Sequence, residues 1–477
     1  MPQFGILTGT QDRSYGGLPT LPLVNLVAER ALTEPRQFML LGRPKIQKYF
    51  ASALGGTYPI RQIFYTDQTS LGTFFAVFST SFYEKGTGTS TTLNGDLIPS
   101  IAGNEIGVVA TAGADAKWWD GSAFRSIAFP GGGQVTKVLE SEGRFIFIEA
   151  TSQAYYWTPQ LSDMVDGSGD MTISALSYLS AEDESDWLVD GVTWKTRLVL
   201  AGQRTIEIHA PSGNSAAPWQ PLVGSTIHRG VVNTGALTVF NDLPAWVSPD
   251  HAVYVYPGGN GDKISNPGIE EDIRNFGSNS IQVDSFRANG KEFLHIWAVA
   301  SGTTGTPEGT YDLIFDASSG EWSRFETSES WWDAGPAIDI GANYPVFGAK
   351  SDSYVVGIPE SDTLSGDVES TVEHKLRFGL PISSGVVPIG NVALRCETYG
   401  SASGSISLRT SRDKGTNWTS WDAVSFNGQI RQKIEWRGKG QADAPGYLCE
   451  IKTAGLTEFS ISDALFNVNM AGRGRGD

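Results

Sequence analysis

Between about residues 60 and 360 the chain alternates short apolar runs with clusters of Gly, Asp, Asn, Ser and Pro. The runs come in pairs: 73–79 with 81–84, 106–110 with 116–119, 144–149 with 154–157, 197–201 with 205–209, 244–247 with 252–256, 293–299 with 311–315, and 344–348 with 353–357. Within them apolar and polar positions alternate with period two, the pattern of half-buried antiparallel strands. The units recur at intervals of roughly 40–55 residues, the spacing of propeller blades. The pattern therefore predicts an all-β fold, with a β-propeller-like main domain over residues 56–360 and about six or seven blades. An array of β-sandwiches is the competing arrangement. The one helical pattern is short and lies around residues 268–276.

The flanks differ. Residues 1–55 are broken by Pro22, Pro35 and Pro44 and read as an extended N-terminal arm. Residues 361–385 are rich in Ser, Gly, Asp and Pro and read as a linker. Beyond it, apolar runs at 392–397, 404–410, 431–436, 446–453 and 458–468 predict a small C-terminal β-sandwich over residues 386–470. The Gly/Arg alternation of residues 471–477 reads as a flexible tail.

Composition sharpens this picture. At 477 residues, with 40% hydrophobic residues and 14 Trp, the chain has ample material for more than one core. Charged residues make up 18% and Gly numbers 56, the profile of a turn-rich β protein. A formal charge of -17 argues against gripping nucleic acid by neutralising phosphates. It is compatible with a wall past which DNA slides. The opening MPQFGILTGTQDRS has no basic region followed by a long apolar run, so no secretory leader is expected. No run approaches the ~20 apolar residues of a membrane helix, and assembly in the cytosol is expected.

The chemistry-bearing residues are sparse. Cys396 and Cys449 have no CxxC partner and read as small buried hydrophobes rather than a disulfide or zinc pair. The five histidines, His209, His228, His251, His295 and His374, form no HxH or HExxH motif, and His295 reads as a hydrogen-bonded core residue. Asp183, Glu184 and Asp186 form one acidic run and Glu270, Glu271 and Asp272 another. Both read as solvated faces rather than acid/base pairs, and neither has the spacing of a calcium loop. The Gly-rich stretches 131–133 and 258–261 lack the Gly-Lys-Ser/Thr of a phosphate cradle. The terminal Arg475-Gly476-Asp477 is too short a match to an adhesion tripeptide to mean anything. No catalytic, cofactor or metal site is expected.

One motif is structurally specific. Ser411-x-Asp413-x-Gly415-x-x-Trp418 fits the Asp-box pattern. Asp413 accepts backbone N–H bonds across a hairpin, Gly415 supplies a positive φ, and Trp418 packs beneath the turn. Asp-boxes occur in glycan-acting propellers, where they are structural. A single copy, with abundant Trp and Tyr, supports only a runner-up reading, a glycan-binding or glycan-cleaving propeller tail protein.

The order of elements from 181 to 276 carries a resemblance. An acidic Asp-Trp lead-in precedes a strand ending in Leu-Ala-Gly, a Thr-Ile-Glu-Ile strand, a Trp strand, a turn and a Tyr strand, closed by Lys263-Ile264-Ser265 and Gly268-Ile269-Glu270. Together with GTYDLIFDASSGEWSRF at 309–325, Lys433 to Gly438 and the Asp-box turn, it resembles the packaged-DNA stabilisation or tail-nozzle proteins of short-tailed bacteriophages. Val24-Asn25-Leu26 and Gly42-Arg43-Pro44 are similar to that family's opening, although its proline-glycine order and a "PGL" step are missing. The resemblance implies a non-enzymatic virion tail component, a homohexamer below the portal and its adaptor ring. Such a ring would surround the DNA channel, retain packaged double-stranded DNA, let it pass on ejection, and contact a tail needle or fibres.

Overall fold

The computed structural model describes residues 23–468 except 31–37, 56–57, 69, 96, 167–168, 172, 182–185, 278–279, 300–310, 327–335, 342–343, 350–352, 360–363, 365–368, 370, 382–385, 399–403, 414, 427–428, 443–445 and 456–458. The expected flexible tail, 471–477, lies outside these residues.

Among the described residues, six four-stranded antiparallel sheets and the first four strands of a nine-stranded sheet form the seven blades of a closed β-propeller. Their innermost strands are Ile60–Tyr65, Ser100–Gly103, Val135–Ser141, Leu188–Trp194, Leu237–Phe240, Ser280–Ala288 and Ala337–Ile338, each packed beside the next around the ring. In blades 1, 4 and 5 burial is greatest in the second strand, and in blade 1 it falls outward from there. In blade 1, Phe74–Phe78 is buried at every position, Ser81–Glu84 alternates, and the outermost Thr89–Thr92 is almost wholly exposed.

The apolar run of each second strand has a simple cause: both of its faces are covered by neighbouring blades. Phe74, Ala76 and Phe78 pack toward blade 7, while Phe75 and Val77 pack toward blade 2. Phe145 and Phe147 face blade 2, and Ile146 and Ile148 face blade 4. Leu198 and Leu200 join the core shared with blade 3, whereas Val199 and Ala201 join the core shared with blade 5. One apolar cluster therefore fills every gap between adjacent blades, and the period-two pattern becomes ring closure. The first hairpins of blades 3, 5 and 6 turn on Glu142-Gly143, Asn241-Asp242 and Asn289-Gly290, all with positive φ, the geometry that suits the twist of two-residue hairpins.

The ring is closed by the N-terminal region. Gln47–Lys48 pairs with Val355–Gly357 as the outermost strand of blade 7. The described part of residues 1–55 is thus built into sheets along much of its length rather than lying as a free arm. Leu23–Val24 runs parallel to Glu321–Phe325 of blade 6 and antiparallel to Lys375–Pro381. Lys375–Pro381 falls within the segment 361–385 read from composition as a linker, and continues through Gly446–Ala454 and Ser405–Ser411 to Asp422–Ser425. Blade 6 and one layer of the C-terminal sandwich are consequently a single nine-stranded sheet. The other layer orders Leu26–Arg30, Phe38–Gly42, Ser460–Val468, Val387–Glu397 and Arg431–Arg437. Leu26, Leu40, Phe378, Leu394, Leu408 and Trp436 fill the space between the layers.

The expected helix is Pro267–Asn275. Asn266 caps it by accepting from the N–H groups of Gly268 and Ile269, and Pro267 occupies the first turn.

Candidate functional site

Two tripeptide steps far apart in composition meet in one buried site. Asn25 has φ 55°, a left-handed conformation that Asn tolerates, and there the chain leaves the blade 6 sheet for the second sandwich layer. Its side chain donates to the carbonyls of Glu326 and Glu373, both at 2.8 Å, and accepts from the Glu326 N–H at 3.0 Å. Arg43 uses every N–H of its guanidinium. Nε donates to Asn25 Oδ1 at 2.9 Å, Nη1 to the Pro44 carbonyl and Glu369 Oε2, and Nη2 to the Glu326 carbonyl and Glu369 Oε1. The side chains of Arg43 and Glu369 are 1% and 2% exposed. Glu369 also accepts from the Ile46 N–H at 3.3 Å. This junction joins the arm, the end of blade 6 and the entry to the sandwich. Nearby, burial and then the charge of Arg43 press the His374 imidazole down to about 3. His374 Nδ1 lies 2.9 Å from the Thr453 hydroxyl.

A second group of polar residues on and just before the innermost strands straps blades together. Asp190 of blade 4 accepts from the N–H groups of Gly235 and Leu237 at 2.8 and 3.1 Å, and Lys137 of blade 3 lies 3.3 Å from its other oxygen. Burial raises the Asp190 carboxyl, against the pull of Lys137. Asn233 exchanges two bonds with the backbone of Ile281, and Asp284 accepts from the Ala337 N–H. Each bond crosses from one blade to its neighbour.

His295 is a hydrogen-bonded core residue, fully buried with Nε2 2.7 Å from Asp312 Oδ2. Asp284 stands 3.8 Å from its Nδ1. The rings of Phe286, Trp297 and Phe347 pack around the imidazole. His209 is also buried, between Tyr155 Oη at 3.0 Å and Glu207 at 3.3 Å. His228 is exposed and His251 half-buried. Among the described residues no group of three His, Cys, Asp or Glu is placed to hold a metal ion, and no helix is long and apolar enough to cross a membrane.

The Asp-box residues form a closed turn between Ser405–Ser411 and Asp422–Ser425. Asp413 Oδ1 accepts from the Asn417 N–H at 2.8 Å and from the Ser411 hydroxyl at 2.7 Å, while its Oδ2 takes the Asn417 amide at 2.6 Å. The Asn417 N–H, then the Ser411 hydroxyl, hold the Asp413 carboxyl down at about 2. Gly415 has φ 88° and its N–H donates to the Ser411 hydroxyl. Trp418 is half-buried beside Gly415 and stacks with Arg377 at 5.0 Å and Arg409 at 4.7 Å. Arg409 also lies over Trp421, and Glu450 receives both guanidinium groups. Sequence reasoning missed this ladder. Its signal was the period-two placement of Arg, Glu and Lys on adjoining strands.

The acidic runs divide. Asp183 and Glu184 lie outside the described residues, and Asp186 accepts from the N–H groups of Arg204 and Thr205 at 2.6 and 3.1 Å. Glu270 pairs with Lys263 and Glu271 with Arg274, both partly exposed. Asp272 does not belong to a solvated face: it is 4% exposed and clasped by Arg324 through Nε at 3.1 Å and through Nη2. The helix turns Asp272 inward beside Ile269 and Ile273, which adjacency along the chain does not reveal. Cys396 and Cys449 are free and buried in the sandwich core, and burial raises both thiols, Cys396 to about 12.

The sequence model of a family described as bacteriophage P22 Gp10, beta-propeller, matches residues 2–297. No curated protein matches the chain. Similar solved structures include YCF48 bound to D1 peptide, at 10% identity over 65% of this chain and 95% of that one, with a TM-score of 0.41. Another is the extracellular domain of a putative one-component system from B. thetaiotaomicron, at 8% identity over 88% of this chain and 62% of that one, with a TM-score of 0.42. A third is an exo-β-1,3-galactanase from Phanerochaete chrysosporium with β-1,3-galactotriose, at 8% identity over 82% of this chain and 100% of that one, with a TM-score of 0.28. At these TM-scores the structural likenesses carry no argument about activity.

Proposed function

We propose, from the premise that the chain belongs to the family of bacteriophage P22 Gp10, beta-propeller, that it is a tail nozzle or hub subunit of a short-tailed bacteriophage. A member of this family is a phage structural β-propeller protein and so a virion component. The carrying observation is the match over residues 2–297, which spans the arm, blades 1 to 5 and the first hairpin of blade 6. The chemistry of the ring agrees with it. Asp190, Lys137, Asn233 and Asp284 near the axis are engaged in bonds between blades, which stiffens a wall.

In this reading six copies form a ring below the portal and its adaptor, and the needle or fibres dock on the far side. The net charge of -17 gives a surface that repels phosphate, so double-stranded DNA is retained by the closed tail and passes without sticking on ejection. The chain is assembled in the host bacterial cytoplasm and performs no catalysis. The Asp-box, the main motif behind a glycan-cleaving alternative, sits on the sandwich and not on a blade.

The test is imaging of the purified protein mixed with the neighbouring gene products of its phage. Six-fold rings with a central bore, and loss of packaged DNA from particles lacking the protein, are expected. A monomer indifferent to those partners, with particles that keep their DNA, refutes the proposal.

A further inference from the structure

Trp187 is far more exposed than most of the described tryptophans. Trp118, Trp119, Trp219, Trp246, Trp297, Trp322 and Trp436 are fully buried, whereas Trp187 is 63% exposed. It stands immediately before the innermost strand of blade 4, Leu188–Trp194, on the propeller face where the innermost strands begin. A cavity of about 600 Å³ opens beside it. Its walls come from several blades: Thr136 of blade 3, Thr151 in the next turn of that blade, Gln203 and Arg204 in a turn of blade 4, and Thr234 ahead of blade 5.

The polar groups of this cavity are held in place yet largely unused. Asp186 Oδ2 accepts from the Arg204 and Thr205 N–H groups, which anchors the turn that carries Gln203 and Arg204. The Thr234 hydroxyl donates to the Val189 carbonyl at 2.8 Å, leaving its lone pairs toward other donors. Among the described residues, the Arg204 guanidinium, the Gln203 amide, the Thr151 hydroxyl and the Trp187 indole N–H have no recorded partner. One exposed aromatic side chain thus lines the same cavity as hydroxyl, amide, guanidinium and carboxylate groups, with a single cation and a single anion among them.

We infer that this cavity is a binding site for a short neutral saccharide, whose apolar C–H face stacks on Trp187 while its hydroxyls meet the ring of Thr, Gln, Arg and Asp groups. The cavity is open on one side, and its volume falls within the ~300–1,000 Å³ range of ligand sites. A phosphorylated ligand calls for clustered cations, and a single Arg204 beside Asp186 does not supply them. A wholly apolar ligand would strand the polar wall in a dry contact, which costs free energy. A hydroxyl-rich ring with one apolar face satisfies both halves of the site.

The inference does not depend on how copies of the chain assemble. It is tested on the full-length protein by saturation-transfer NMR and titration calorimetry. The probes are maltotriose, cellotriose, chitotriose, mannotriose and β-1,4-galactotriose. At least one probe should bind with a Kd below about 1 mM. Trp187→Ala should weaken it at least tenfold with an unchanged thermal midpoint, because the ring is mostly solvated, and Trp187→Tyr should recover part of the loss. Arg204→Ala should weaken it severalfold. The inference is overturned by a wild-type chain that binds none of the probes, by a Trp187→Ala variant that binds as well as wild type, or by binding abolished instead by Trp418→Ala on the sandwich.

Discussion

Replacing Arg43 by Met should loosen the seam between propeller and sandwich while leaving each core intact. Arg43 is almost the size of Met plus its charged head, so the change removes the guanidinium without opening a large apolar void. It leaves the Glu369 carboxylate, 2% exposed, with the Ile46 N–H at 3.3 Å in place of a bidentate partner. Breaking a buried pair in this way costs about 3–5 kcal/mol, because the remaining charge is desolvated and uncompensated. At about 1.4 kcal/mol per decade, local opening should become roughly 10² to 4 × 10³ times more frequent. Hydrogen exchange reads this directly. The amides of Ile46 and Glu369, which bond across the seam, should lose protection by that factor, while Phe147 inside blade 3 should not. The double variant Arg43→Met/Glu369→Gln removes both charges. It should recover ~2 kcal/mol or more relative to Arg43→Met, since Glu326 O and Asn25 Oδ1 keep each other's partners. Equal protection in Arg43→Met and wild type, or a double variant worse than the sum of the singles, would show that the junction does not hold the seam.

Four further outcomes are expected. His374 stays neutral in the fold down to about 3, whereas its unfolded counterpart takes up a proton near 6.5. Stability should therefore fall as pH drops through that window, and His374→Gln should reduce the slope by up to ~1.4 kcal/mol per pH unit in denaturation measured from pH 3 to 6. The Asp413 carboxyl is depressed to about 2, so its support of the turn is full above its unfolded value of 3.8 and is lost as pH falls toward 2; Asp413→Ala should abolish the protection of the Asn417 amide at neutral pH. A Cβ on Gly230 would lie 2.0 Å from the Gln203 carbonyl carbon, a backbone atom that cannot swing away, so Gly230→Ala should lower stability by more than ~1 kcal/mol in thermal melts. The Cys396 and Cys449 thiols should resist a water-soluble disulfide reagent in the native protein and react on unfolding; fast native reaction at Cys449 would contradict its burial.

Much of the local architecture could be read from the chain. Continuous apolar runs such as 144–149 and 197–201 marked strands because both of their faces are covered, so successive residues are buried. The helix beginning at Pro267 and the turn around Asp413 were legible because capping and Asx geometry involve residues within four positions of one another. The family resemblance was legible through ordered strings of such local elements.

What the chain concealed is partner choice. Gln47 and Lys48 complete blade 7 by pairing with Gly357 and Val356, and Leu23 and Val24 fuse a blade to a sandwich. Arg43 finds Glu369 at a separation of 326 residues. Asp272 looked like one of three equivalent acids until the helix turned it onto Arg324. Trp187, part of the Asp-Trp lead-in along the chain, is left exposed beside a cavity by ring closure. Hydrophobic alternation specifies which face of a strand is buried but not against which strand. A backbone edge pairs equally well with many sequences, and the choice among them is made by the summed packing of the whole ring.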